Sequence, residues 1–118
     1  MTPERYRAAA ALAGPHLLRV RNGPQRVEAV SGAERNAVYV VCDRSGVVRY
    51  VGSTSGRAAR ARLAEHLADT HRTRSWHEVW VIPLRAQTPV AVVRGIEGRV
   101  GRYLRPTDTK CLPRALSA

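Results

Sequence analysis

Five side chains combine reactive groups with a spacing that folding could turn into a site. Tyr39 and Tyr50 sit in two small apolar triplets, Ala37-Val38-Tyr39 and Tyr50-Val51-Gly52, on β-branched runs separated by Asp43-Arg44-Ser45-Gly46. A hairpin whose even-numbered loop centres on Arg44 and Ser45 pairs Tyr39 directly with Tyr50, and both phenols then share one sheet face. A three-residue bulged loop would instead send them to opposite faces. Paired tyrosines are also ordinary packing. Arg62 and His66 are four residues apart and share one face of a helix, where such a pair is commonly a solvated surface feature. Glu97 falls about 40° from Val93 on a helix turning about 100° per residue, inside the apolar arc of Val90, Val93, Ile96, Val100 and Leu104. A carboxylate on the core side of a helix is costly without a cation or hydrogen-bond donors. Glu97 is therefore either ion-paired to an arginine or a functional carboxylate, and no other acid in the chain has that placement. Phenols, a guanidinium, an imidazole and a carboxylate suit acid–base work beside an anionic group.

The elements that must position these groups can be read in order. Thr2, Pro3 and Glu4 make an N-cap, a first-position proline and a first-turn acid, which open a helix ending near Gly14-Pro15. Residues 16–33 form either two short strands about Asn22-Gly23 or an extended arm. Val38–Cys42 and Val47–Val51 read as a paired hairpin. Ser53, Thr54 or Ser55 then caps a helix running to about Asp69, with Leu63 and Leu67 as its buried stripe. Residues 76–84 read as a third strand, and Thr88-Pro89 opens a second amphipathic helix carrying Glu97. Gly95, Gly98 and Gly101 recur in that helix at steps of three, each weakening it by up to about 1 kcal/mol.

Composition narrows the partner. With 118 residues the chain suits one domain with a modest core. Lys plus Arg number 20 against nine acids, a net charge of +11, and Lys110 is the sole lysine. Arginine in place of lysine is what GC-rich coding would give, but the excess of bases over acids is not, and it favours a polyanion such as nucleic acid. Residues 1–33 carry +3 of the charge and the remainder +8. No apolar run approaches the roughly 20 residues that span a bilayer, so no membrane partner is expected. The alanine-rich start reads as a helix rather than a signal peptide. Cys42 and Cys111 are too few for a disulfide framework, and a reduced, cytoplasmic setting is expected. His66, His71 and His77 lack the spacing of a structural zinc site.

The ordered string of tyrosine strand, turn, Tyr-Val-Gly strand, helix with Arg and His, strand, and helix with Glu resembles the GIY-YIG nuclease superfamily. The resemblance runs from about residue 35 to 113. It implies an α+β fold, a small three-stranded antiparallel sheet flanked by helices, over residues 34–118, with residues 1–33 as an N-terminal helical or extended addition. It implies a bacterial metal-dependent endonuclease that hydrolyses phosphodiester bonds in DNA with one Mg²⁺ or Mn²⁺. By position, Tyr39 resembles the tyrosine that activates water and Tyr50 the one that supports it. Arg62 resembles the phosphate grip, His66 the residue four positions on, and Glu97 the metal carboxylate, with Gly52 in support. Arg57, Arg60, Arg72 and Arg74 are the expected nucleic-acid contacts. The chain departs from the family at Ala37, where glycine is usual, and at Thr109, where asparagine is expected; Asp108 is the neighbouring source of an oxygen. Two other readings share these features: a nucleic-acid-binding module on the same fold without turnover, and a nuclease toxin domain.

Overall fold

The computed structural model describes residues 1–32, 34–68 and 73–108. Its centre is an antiparallel sheet of four strands, β1 (Gln25–Arg26), β2 (Asn36–Cys42), β3 (Val48–Ser55) and β4 (Glu78–Pro83), in the order β1-β4-β2-β3. Among the described residues, α1 (Pro3–Ala11), α2 (Ala59–Leu67) and α3 (Val90–Leu104) cover it. The expected third strand is β4, and the fourth strand is the two-residue β1, drawn from the segment left open between strands and arm. In the same segment Leu17 forms a single bridge to Leu84.

The strand β2 is buried along its whole length because the sheet has a core on each face, which is why Ala37–Cys42 reads as an unbroken apolar run. Alternation splits that run. Val38, Val40 and Cys42 pack with Val93, Ile96, Val100 and Leu104 of α3 and with Tyr6, Ala9 and Ala10 of α1. Ala37, Tyr39 and Val41 pack with Leu63 of α2, Val27, Val30 and Trp76. The leading segment thus contributes to both cores. The Tyr6 hydroxyl donates to the Val81 carbonyl at 2.6 Å and accepts from the Arg21 amide at 3.1 Å. Thr2 caps α1 as its type predicts, accepting from the Arg5 amide at 3.1 Å.

The hairpin corrects the expected register. Tyr39 pairs with Gly52, and Tyr50 pairs with Val41, two positions away from a direct tyrosine pair. The loop is the three-residue kind: the Asp43 amide donates to the Val47 carbonyl at 3.0 Å, around Arg44, Ser45 and a left-handed Gly46 at φ 81°. By itself that loop would split the tyrosines between faces. A second irregularity restores them: Cys42 pairs with Val48 while Val41 pairs with Tyr50, which leaves Arg49 as an extra residue. Asp43 supports both features, accepting from the Ser45 and Val47 amides at 2.9 and 3.1 Å and pairing with Arg49 at 3.1 Å.

The second correction concerns the start of α2. Ser53, Thr54 and Ser55 remain in β3, and α2 begins at Ala59 with no side-chain cap. Pairing continues to Asn36 opposite Ser55, and the Asn36 Oδ1 atom accepts from the Gly56 amide at 3.1 Å, which holds those residues to the sheet. By contrast, α3 starts after Pro89 as expected. It ends at a left-handed Arg105, φ 53°, and the chain turns back so that the Thr107 and Asp108 amides donate to the Val48 and Arg49 carbonyls at 3.1 and 2.8 Å. Among the described residues no helix is long and apolar enough to cross a membrane.

Candidate active site

Tyr39 comes from the central strand and is 1% exposed. Its ring lies on Gly52 across the strand pair: a Cβ at that glycine would sit 2.6 Å from the Tyr39 hydroxyl and 2.7 Å from two ring carbons. The missing side chain is the space the phenol occupies. Tyr50 lies diagonal to Tyr39 on the same face, the rings stacked with centroids 6.3 Å apart at 26°.

The helix α2 lays His66 over both phenols. Its Nε2 atom is 3.3 Å from the Tyr39 hydroxyl, and its ring meets Tyr50 edge-on at 5.2 Å. Leu63, 1% exposed, anchors the helix there, so the Leu63 stripe positions His66 and Arg62 beside it. Trp76 closes the cluster, 5.0 Å from Tyr50 and 5.6 Å from His66, and its indole N–H donates to Asp108 at 3.0 Å. Arg62 is half-exposed at the rim. Its guanidinium pairs with Glu65 at 3.1 Å, and Arg57 reaches the same carboxylate at 2.6 Å. These two arginines and the half-exposed Glu65 form a charged group at the edge of the aromatic cluster.

Burial pushes the Tyr39 phenol well above its ordinary value, Tyr50 and Glu97 add to the rise, and Arg62 opposes it through its charge and a hydrogen bond. Arg62 alone does not overcome burial, so the phenol keeps its proton at neutral pH. Proton acceptance by Tyr39 therefore requires further positive charge.

Glu97 is 5% exposed on α3, as its place in the apolar arc predicts. Its Oε1 atom accepts from the Ser53 hydroxyl at 2.6 Å. Ser53 follows Gly52 on β3 and faces the other way, so the carboxylate and the phenols approach consecutive residues of this edge strand from opposite sides. The charge of Glu97 is nonetheless felt at Tyr39, with only β3 between the two groups. Among the described residues no cluster of three or more His, Cys, Asp or Glu side chains is gathered. Glu97 is a single carboxylate already oriented by a hydroxyl, which suits an ion such as Mg²⁺ that keeps most of its waters.

The fold thus brings Tyr39, Tyr50, Gly52, Arg62 and His66 together and sets Glu97 behind the edge strand. Arg57 lies just before α2, Arg60 is exposed in its first turn, and Arg74 is exposed next to Trp76. Arg72 and Thr109 lie outside the described residues. Sequence reasoning missed Trp76, Ser53 and Glu65. Glu65 was readable as an acid three residues after Arg62. Ser53 was taken for a helix cap, and Trp76 enters only through the tertiary fold. No family model matches the chain, and no curated protein or solved structure matches it either.

Proposed function

We propose that this chain is a metal-dependent endonuclease of the GIY-YIG kind, hydrolysing phosphodiester bonds in DNA. The observation that carries the reading is Tyr39 seated on Gly52 beneath His66, with Tyr50 stacked alongside and Arg62 at the rim. A strongly basic chain offers this cluster to an anionic strand. In the reaction a water oxygen attacks phosphorus, loses a proton to a base, and displaces an ester oxygen that takes a proton from solvent water as it leaves. Tyr39 is the group in position to take the proton, Tyr50 and His66 hold its phenol, and Arg62 meets two phosphate oxygens with its planar fork. Glu97 would hold Mg²⁺ or Mn²⁺, and such an ion supplies positive charge that stabilises the pentavalent phosphorus and lowers neighbouring pKa values. The cytoplasmic setting belongs to the same reading.

A nucleic-acid-binding module without turnover is the second reading, and one observation favours it: Tyr39 is only 1% exposed, which shuts its hydroxyl off from an attacking water. Supercoiled plasmid incubated with the protein, with and without Mg²⁺, separates the two. Nicked or linear product only with the metal is the expected result. Binding with no product under either condition overturns the nuclease in favour of the module.

A further inference from the structure

Beside the aromatic cluster, Trp76 is also the wall of a second cleft. That cleft encloses about 370 Å³ and is lined by Arg26, Asp43, Arg44, Arg74 and His77 together with Ser45, Ser75 and Trp76. Its charge balance is unusual. Among the described lining residues Asp43 is the sole carboxylate, and it is committed to the Ser45 and Val47 amides and to Arg49 outside the cleft. Arg26 pairs with exposed Glu28 at 2.8 Å. Arg44 and Arg74 are exposed and have no ion-pair partner among the described residues. They project from two separate segments, the β2–β3 turn and the segment before β4, so the fold and not local sequence makes them neighbours in the lining. Uncompensated guanidiniums about a polar cleft suit phosphate oxygens. Trp76 also touches Tyr50 and His66, so the cleft adjoins the aromatic cluster.

We infer that the Arg44–Arg74 cleft is a backbone subsite that holds a nucleic-acid phosphate flanking the one at the tyrosine cluster. It rests on the nucleic-acid part of the reading above and not on turnover. The test is binding of a labelled DNA duplex by fluorescence anisotropy across a salt series without divalent metal. It compares the wild-type chain, Arg44→Gln/Arg74→Gln, and a control with two charges removed from the helices of the other sheet face, Arg7→Gln/Arg94→Gln. Circular dichroism establishes that all three are folded. The cleft variant should flatten the slope of log K against log salt by about 2, one unit per arginine, while the control changes it little. Equal flattening in both variants, or none in the cleft variant, overturns the subsite. Plasmid cleavage distinguishes the two claims. Cleavage with an unchanged slope sinks the subsite alone, whereas a flattened slope without cleavage sinks the nuclease and leaves the subsite standing.

Discussion

The Tyr39 hydroxyl lies where a side chain on Gly52 would begin, 2.6 Å from the Cβ that glycine lacks. The glycine of the second triplet is therefore a steric partner of the tyrosine in the first. Gly52→Ala should destabilise the fold by about 1–3 kcal/mol, the range of overpacked cores, and abolish cleavage by displacing the phenol. Tyr39→Phe should not rescue it, because two ring carbons lie as close as the oxygen. Tyr39→Leu should recover part of the stability. Urea unfolding of the single and double variants checks this coupling, and simple additivity would contradict it.

Glu97→Gln should remove cleavage while leaving duplex affinity within about twofold, since nonspecific affinity resides in the arginines. The amide oxygen still accepts from Ser53, so the fold should survive. Ser53→Ala removes this one donor and should lower stability by about 1 kcal/mol. Plasmid nicking by Glu97→Gln at matched purity would remove this residue from the site.

Glu65 occupies the two guanidiniums that face the site, Arg57 and Arg62. Glu65→Gln should raise duplex affinity several-fold at low salt, with the gain shrinking as salt rises. Arg62→Lys should fail to restore the activity lost in Arg62→Ala, because an ammonium does not reproduce the fork. A fully active Arg62→Lys protein would reduce Arg62 to part of the general basic field.

Alkaline pH gives an independent readout. Burial raises Tyr39 and Tyr6 above the ordinary phenol value and pushes the Cys42 thiol up to about 11. A group whose folded value is raised holds its proton in the native state after the unfolded chain has lost it. Its stabilisation is complete below the unfolded pKa and is lost as pH climbs through the folded one. Stability should therefore decline above about pH 9–10, where free thiols and phenols titrate. Tyr39→Phe should make that decline shallower and Tyr39→Phe/Tyr6→Phe shallower still, as followed by urea midpoints. Identical slopes would show that the phenols do not contribute.

Asp108 separates tethering from charge. Asp108→Asn keeps an oxygen for the Trp76 indole and should retain stability, whereas Asp108→Ala should release the segment from β3 and shift tryptophan emission. If the carboxylate also serves the site, Asp108→Asn will cleave more slowly than wild type at equal stability; equal rates assign Asp108 to tethering alone.

Features written in local sequence were legible. Thr2 and Pro3 started α1, Pro89 started α3, and the apolar arc put Glu97 in the core. Features set by pairing across the sheet were not. The three hydroxyl residues at 53–55 have good capping chemistry, yet the hydrogen bonds offered by Asn36 and its neighbours outweighed it. Tyr39 and Tyr50 do share a face, but by two compensating irregularities rather than by the direct pair expected. Trp76 had no sequence signal because its partners Tyr50, His66 and Asp108 come from three other segments.

Those compensating irregularities make the hairpin sensitive to parity. Straightening the ladder with Arg49 paired opposite Val41 would turn Tyr50 toward the α3 face while Tyr39 stayed put, whereas deleting Arg49 would leave Val41 opposite Tyr50 and keep both phenols on one side. The bulge at Arg49 and the three-residue turn are thus coupled, since one cannot change parity without the other, while Arg44 and Ser45, exposed at the tip, are free to vary as far as keeping the tyrosines together is concerned.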